Sequence, residues 1–167
     1  MIFLVNDANI LIDLLKIDLL DAFFRLEFDF QVTDIVFVEI REENTAYLNS
    51  FLENGILTKQ GFSFSELSQI QTLQIENPGL SIADCSCLYL SRKISATLLT
   101  GDGALRRVAE QQDISVHGIL WIFDEMIVGG LISEKEAKEK LTQLMELNSR
   151  LPLKECRKRL ARWHLDG

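Results

Sequence analysis

The sequence is poor in the residues that mark disulfide frameworks, histidine-rich metal sites and flexible linkers. Three cysteines in 167 residues are too few, and an odd number, for a disulfide framework, which indicates a reducing compartment. Nine glycines and two prolines are too few for a flexible linker or a collagen-like repeat. The two histidines, His117 and His164, leave little material for a zinc site built on several histidines or for an acyl-transfer triad.

Long apolar runs and a secretory signal are lacking as well. The longest runs, such as Met1–Val5 and Gly118–Phe123, fall far short of the about 18–20 residues that cross a bilayer. The first basic residue, Lys16, follows the first apolar run, whereas a secretory signal carries its positive charge before it. Hydrophobic residues make up 47% and charged residues 25%, as in folded soluble proteins. We therefore expect a soluble cytoplasmic protein without a membrane partner.

Positive charge is scarce, and it is unevenly distributed. The net charge is −8, whereas a protein that coats nucleic acid in general would be basic. Residues 150–167 nevertheless contain six Lys and Arg against two acidic residues. The remainder of the chain is strongly acidic, which either provides solubility or concentrates carboxylates that hold metal ions.

Short apolar segments alternate with longer helical ones along most of the chain. This alternation predicts an α/β fold of three α/β/α layers, with a central parallel sheet covered by helices on both faces. Residues 36–52 are predicted to form one helix. The predicted strands are Ile2–Val5, Phe30–Thr33, a minor strand at Phe62–Phe64, Ala96–Thr100 and Ile114–Val116.

Two further helices are predicted after the Gly129–Gly130 break. We accordingly divide the chain into a domain over residues 1–130 and a C-terminal helical extension over residues 131–167. A capping box of Ser133 and Glu136 begins the first of these helices. The second follows Pro152, and its apolar stripe predicts that it packs on the same domain, on a second copy or on a partner protein. That stripe consists of Leu153, Cys156, Leu160 and Trp163.

Acidic residues stand where the predicted strands end, which is where sites form in open parallel sheets. Asp7 follows the first strand, and Asp102 follows the Ala96–Thr100 strand. Asp84 lies in the first turn of the helix before that strand, and Glu39 is predicted near the start of the helix after the second strand. Four carboxylates that converge in this way would suit a hard divalent cation.

Each acid also has a purely structural interpretation. Asp7 and Asp102 precede helices and are suitable N-caps, and Asp84 could complete a capping box with Ser81. Glu39 could be a solvated helix residue. Three nearby acids, Asp34, Glu42 and Glu43, could supply the fourth ligand in its place.

Four short segments, in order, resemble the motifs of PIN domains. Residues 5–9 (VNDAN) are similar to the opening Asp-x-Asn/Ser, and residues 33–40 (TDIVFVEI) to the segment that carries the family's glutamate. Residues 82–84 (IAD) resemble the central aspartate at the head of an apolar helix, and residues 98–102 (LLTGD) the strand that ends in Thr-x-Asp. The resemblance covers residues 1 to about 130 and is greatest to the prokaryotic subgroup related to VapC-type toxins.

The resemblance implies a metal-dependent endoribonuclease that is the toxin of a toxin–antitoxin pair. The acid quartet, which we define as Asp7, Glu39, Asp84 and Asp102, would be catalytic and would hold Mg²⁺ or Mn²⁺. Asn9 and Thr100 would orient ligands or water, and Arg106 or Arg107 would hold a phosphate of the RNA substrate. The implied partners are RNA, an antitoxin protein and a second copy of the chain.

Two other functions remain open at this point. The Gly101–Gly103 segment is similar to a late motif of haloacid-dehalogenase-like phosphatases, but Asn9 occupies the position of their second aspartate. The second alternative is a non-catalytic binding module on the same fold, which the low basic charge outside the C-terminal tail favours. A glycine-rich P-loop and a dinucleotide fingerprint are absent.

Overall fold

A computed structural model describes residues 1–163, which form a five-stranded parallel sheet and ten helices. The strands are β1 (Phe3–Asn6), β2 (Asp29–Thr33), β3 (Leu57–Gln60), β4 (Thr97–Leu99) and β5 (Val116–His117). The first helices are α1 (Ala8–Lys16), α2 (Leu20–Phe24), α3 (Asp34–Glu39), α4 (Glu42–Glu53) and α5 (Phe64–Glu76). The others are α6 (Ile82–Lys93), α7 (Gly103–Gln111), α8 (Ile119–Val128), α9 (Glu134–Leu147) and α10 (Leu153–Arg162).

The sheet has the strand order β3-β2-β1-β4-β5, with every pair parallel. β1, β2 and β4 are buried along almost their whole length, because helices cover both faces. Helices α5 and α6 form one layer, and α1, α2, α8 and α9 pack in succession to form the other. The predicted three-layer α/β/α architecture is confirmed.

The strand order creates a crevice beside β1. The chain proceeds outward from β1 through β2 to β3 and then returns to place β4 on the opposite side of β1. The segments after β1 and β4 therefore diverge, and such switch points are where open α/β sheets bind ligands. Helix α3 lies at the carboxyl end of β2 and contacts both α1 and α6, so it forms another wall of this crevice.

Two details of the predicted elements are wrong. Residues 62–64 are not a strand, because Ser63 caps α5 through reciprocal hydrogen bonds with Glu66. The third strand is instead β3, whose exposed Thr58 and Lys59 gave no apolar run to recognise. The single helix predicted over residues 36–52 is two helices, because Ile40 is extended and turns its side chain into the core.

The C-terminal helices contribute to the same core as the sheet. Ala137, Leu141 and Leu144 of α9 are fully buried, and Ser133 caps that helix by accepting from the Glu136 amide at 3.0 Å. In α10, Cys156 is buried, whereas Leu153 is largely exposed.

Helix α10 is held against α8. The ring of Trp163 lies 5.9 Å from that of Phe123, and Arg159 pairs with Asp124 at 2.8 Å. His164 lies outside the described residues. None of the helices within residues 1–163 is long and apolar enough to span a bilayer.

Candidate active site

A cavity of about 1280 Å³ opens at the carboxyl ends of β1 and β4. Its walls come from the segments after β1, β4 and β5, from the ends of α3 and α6, and from the α9–α10 connection. All four members of the acid quartet line it, together with Asn9, Thr100 and Arg106. Arg107 is exposed and does not line it, which separates two arginines that the sequence left as equal candidates. We call this cavity the acidic cleft.

Asp7 is the most constrained acid in the cleft. It is only 6% exposed because it caps α1 directly beneath the end of β1. Its Oδ1 accepts from the Ala8 amide at 2.8 Å, and its Oδ2 accepts from the Thr100 hydroxyl at 2.7 Å. Burial raises the pKa of Asp7 to about 6. The Thr100 and Ala8 hydrogen bonds oppose this rise in pKa, and the charges of Asp84 and Asp102 add to it.

Thr100 connects the acids that follow the two central strands. Its fully buried hydroxyl donates to Asp7 and also accepts from the Asp102 amide at 3.0 Å. Asp102 in turn caps α7 by accepting from the Leu105 amide at 3.3 Å. One hydroxyl thus links the carboxylate that follows β1 to the backbone that follows β4, at the edge of the cleft.

Asp84 completes a capping box with Ser81, as its structural interpretation predicted, and it also lines the cleft. Its Oδ2 accepts from the Ser81 amide at 2.9 Å, and the Ser81 hydroxyl accepts from the Asp84 amide at 3.0 Å. This capping box uses one carboxylate oxygen and holds the acid at the head of α6. The buried Thr33–Ser86 hydrogen bond, 2.8 Å long, ties the start of α3 to α6 and so fixes the wall that carries Glu39.

Glu39 is the last residue of α3, although the sequence placed it near the start of a long helix. Partial burial and the charge of Asp84 raise its pKa. Cys87, fully buried in α6, also has a raised pKa, mainly from burial and then from the charges of Asp7, Asp84 and Glu39. The carboxylates of three different segments therefore act on one region of the structure.

The cleft contains a second buried acid besides Asp7, and the sequence analysis missed it. Asp13 lies four residues after Asn9 on α1, is 8% exposed and accepts from the Asn148 amide group at 2.8 Å. Burial raises its pKa, and the Asn148 hydrogen bond and Lys16 oppose that rise. The available signal was an aspartate that interrupts an otherwise apolar segment at helical spacing from Asn9.

Replacement of Asp7 by asparagine should stabilise the metal-free protein near neutral pH. The pKa of this carboxyl rises from 3.8 to about 6 on folding, so the wild type loses stability as the pH increases through that interval. We expect Asp7→Asn to raise the free energy of unfolding by about 3 kcal/mol near pH 7, with little gain below about pH 4. Urea unfolding in EDTA, at pH 7 and at pH 4, measures the free energy of unfolding of each protein.

Asp113→Asn is the matched control, because Asp113 is exposed and lies outside the cleft. Its free energy of unfolding should change little at either pH. An Asp7→Asn gain that is equal at both pH values, or absent, would contradict the assignment of a buried, strained carboxylate.

Comparison with known families agrees with this architecture. The PIN domain family model DUF3368 matches residues 3–164. A search of curated proteins finds no match. The family model covers nearly the whole chain, and the sheet, the helix layers and the order of the acids had pointed to the same family. The chain belongs to the PIN domain family, whose members are generally nucleases.

Proposed function

We propose that the protein is a metal-dependent endoribonuclease that hydrolyses phosphodiester bonds of RNA. The observation that carries the proposal is the acid quartet, which lines one open cleft although its members come from four separate segments of the chain. Burial is the main cause that raises the pKa of Asp7 and of Glu39, and repulsion by the charge of Asp84 adds to the rise in both. A bound cation would relieve that repulsion.

The donor set fits Mg²⁺ or Mn²⁺ in chemistry and in location. Hard divalent cations prefer oxygen ligands, and the quartet supplies only carboxylates. Within residues 1–163, however, no three Asp, Glu, His or Cys side chains are already grouped to hold a metal ion. Asp84 and Asp102 each direct one oxygen to a helix cap. Metal binding therefore requires these side chains to turn toward Asp7.

The residues of the cleft suit the hydrolysis of a phosphodiester. When bound, a divalent cation activates water and offsets charge on the phosphoryl oxygens. Thr100 keeps Asp7 and the backbone of Asp102 in register. Asn9 adds an exposed amide to the wall beside Asp7, and the Arg106 guanidinium, which also lines the cleft, would pair with a phosphate of the RNA being cut.

Cysteine does not compete with water as the nucleophile. Cys85 and Cys87 are fully buried, and burial raises the pKa of both thiols, that of Cys85 to about 11. Because the thiolate is the reactive form, both side chains remain inert near neutral pH. Asn9, at the position where a dehalogenase-like phosphatase needs an acid, favours phosphodiester hydrolysis over that alternative.

The direct test is the cleavage of a labelled RNA pool in Mg²⁺, Mn²⁺ or EDTA. We expect cleavage by the wild type in either metal, none in EDTA, and a loss of at least about 100-fold in Asp84→Asn, since the quartet acts as a unit. Asp113→Asn removes the same charge outside the cleft and should retain activity. Cleavage that survives in purified Asp84→Asn, or none with the wild type in any metal, would refute the proposal.

Arg106 and Arg107 form a matched pair of neighbours for testing phosphate binding. We expect Arg106→Ala to raise the KM for RNA by about 10-fold with a smaller change in kcat, because it removes a charge-assisted contact with phosphate. Arg107→Ala carries the same charge change outside the cleft and should leave KM within about twofold. Steady-state cleavage kinetics measure KM and kcat for the two variants. Equal effects of the two substitutions would contradict a specific role of Arg106 in phosphate binding.

We further propose that the nuclease is the toxin of a toxin–antitoxin pair, silenced by a protein that covers the acidic cleft. The net charge of −8 and the open acidic wall favour a partner that presents a basic segment. Expression in bacteria should arrest growth with the wild type and with Asp113→Asn, and should not do so with Asp84→Asn. Normal growth with wild-type protein that cleaves RNA in vitro would argue against the toxin role and leave the nuclease intact.

A further inference from the structure

Two stacked aromatic side chains line the acidic cleft together with the quartet. Neither side chain has a role in the proposed hydrolysis. The rings of His117 and Trp121 lie 4.3 Å apart between centroids and are inclined by only 6°. Both side chains are half-buried, so part of each ring faces the cleft. We call His117 and Trp121 the aromatic pair.

The aromatic pair is rigidly connected to the acids. The His117 carbonyl accepts from the Thr100 amide at 3.1 Å, and the Thr100 hydroxyl donates to Asp7. The Trp121 ring also packs against the Phe28 ring, with 5.6 Å between their centroids. The backbone of His117 is thus hydrogen-bonded to the strand end that leads to Asp102, and Trp121 packs against a second segment of the chain.

A cation lies next to the aromatic pair. A Cβ atom at Gly118 would come within 3.2 Å of Nη2 of Arg106, so the absent side chain leaves room for the guanidinium beside His117. Burial, with Arg106 adding to it, lowers the pKa of His117, which keeps the imidazole neutral near pH 7. The cleft thus combines flat aromatic surface, a phosphate-binding cation and acids within one wall.

We propose that the aromatic pair forms a subsite that stacks one nucleobase next to the bond that is cut. The inference rests on the nuclease activity proposed above. Unpaired bases stack on aromatic and histidine side chains, whereas the bases of an A-form duplex are already stacked on each other. Arg106 would hold the phosphate while the aromatic pair holds the base of the same or the adjoining nucleotide.

The test is an abasic scan of a short single-stranded oligoribonucleotide that the wild type cleaves. Each nucleotide in turn is replaced by an abasic residue, and kcat/KM is measured for every substrate. We expect one position beside the cleaved bond at which loss of the base lowers kcat/KM by about 10-fold or more. Uniform tolerance of abasic residues would overturn the inference.

Variants of the aromatic pair test whether these two side chains cause the dependence on the base. His117→Leu should reduce kcat/KM for the intact oligonucleotide and abolish its dependence on the base, whereas His117→Phe keeps a flat ring and should retain the dependence. Trp121→Leu should act as His117→Leu does, which covers the case in which one variant fails to fold. Phe64→Leu removes an exposed ring outside the cleft and is the control.

The possible failures are distinct. If His117→Leu and Trp121→Leu fold and keep the wild-type dependence on the base, the aromatic pair is structural packing and the nuclease assignment stands. If the wild type cleaves no RNA in either metal, the nuclease assignment fails and this inference fails with it.

Discussion

The architecture of the site depends on one buried carboxylate at the end of the central strand. Asp7 caps α1 beneath β1, and folding there is unfavourable for its charge, as its raised pKa indicates. The Thr100 hydroxyl compensates in part and at the same time joins the ends of β1 and β4. A carboxylate that is costly to bury is thus held by a hydroxyl that also accepts from the backbone after the neighbouring strand.

The acids that cap helices around this contact also line the cleft. Asp7, Asp84 and Asp102 each accept from backbone amides at the start of a helix, which is the usual structural role of such residues. The strand order places those three helix starts around one crevice. Each of these acids therefore combines a capping role with a place in the wall of the cleft, which is compatible with the function proposed above.

The sequence predicted what depends on local pattern. The alternation of apolar segments predicted the parallel sheet. The acids near strand ends predicted a quartet, all four members of which line one cleft. β3 was missed because an edge strand with exposed Thr58 and Lys59 carries no apolar run. The break at Ile40 was missed because burial of its side chain, a tertiary effect, overrides helix continuity. Asp13 was missed because its hydrogen-bond partner, Asn148, is 135 residues away along the chain. The His117–Trp121 stack joins residues on either side of the junction between β5 and α8, so no single period of strand or helix covers both.

The most direct test of the central claim is a crystal structure of the protein grown with Mn²⁺, with the metal located by its anomalous scattering. We predict a peak in the acidic cleft within coordination distance of Asp7 and of at least one further member of the quartet, with Asp84 or Asp102 turned from its cap. A cleft without a peak at saturating Mn²⁺, with Asp84 and Asp102 still directed to their helix caps, would contradict the account.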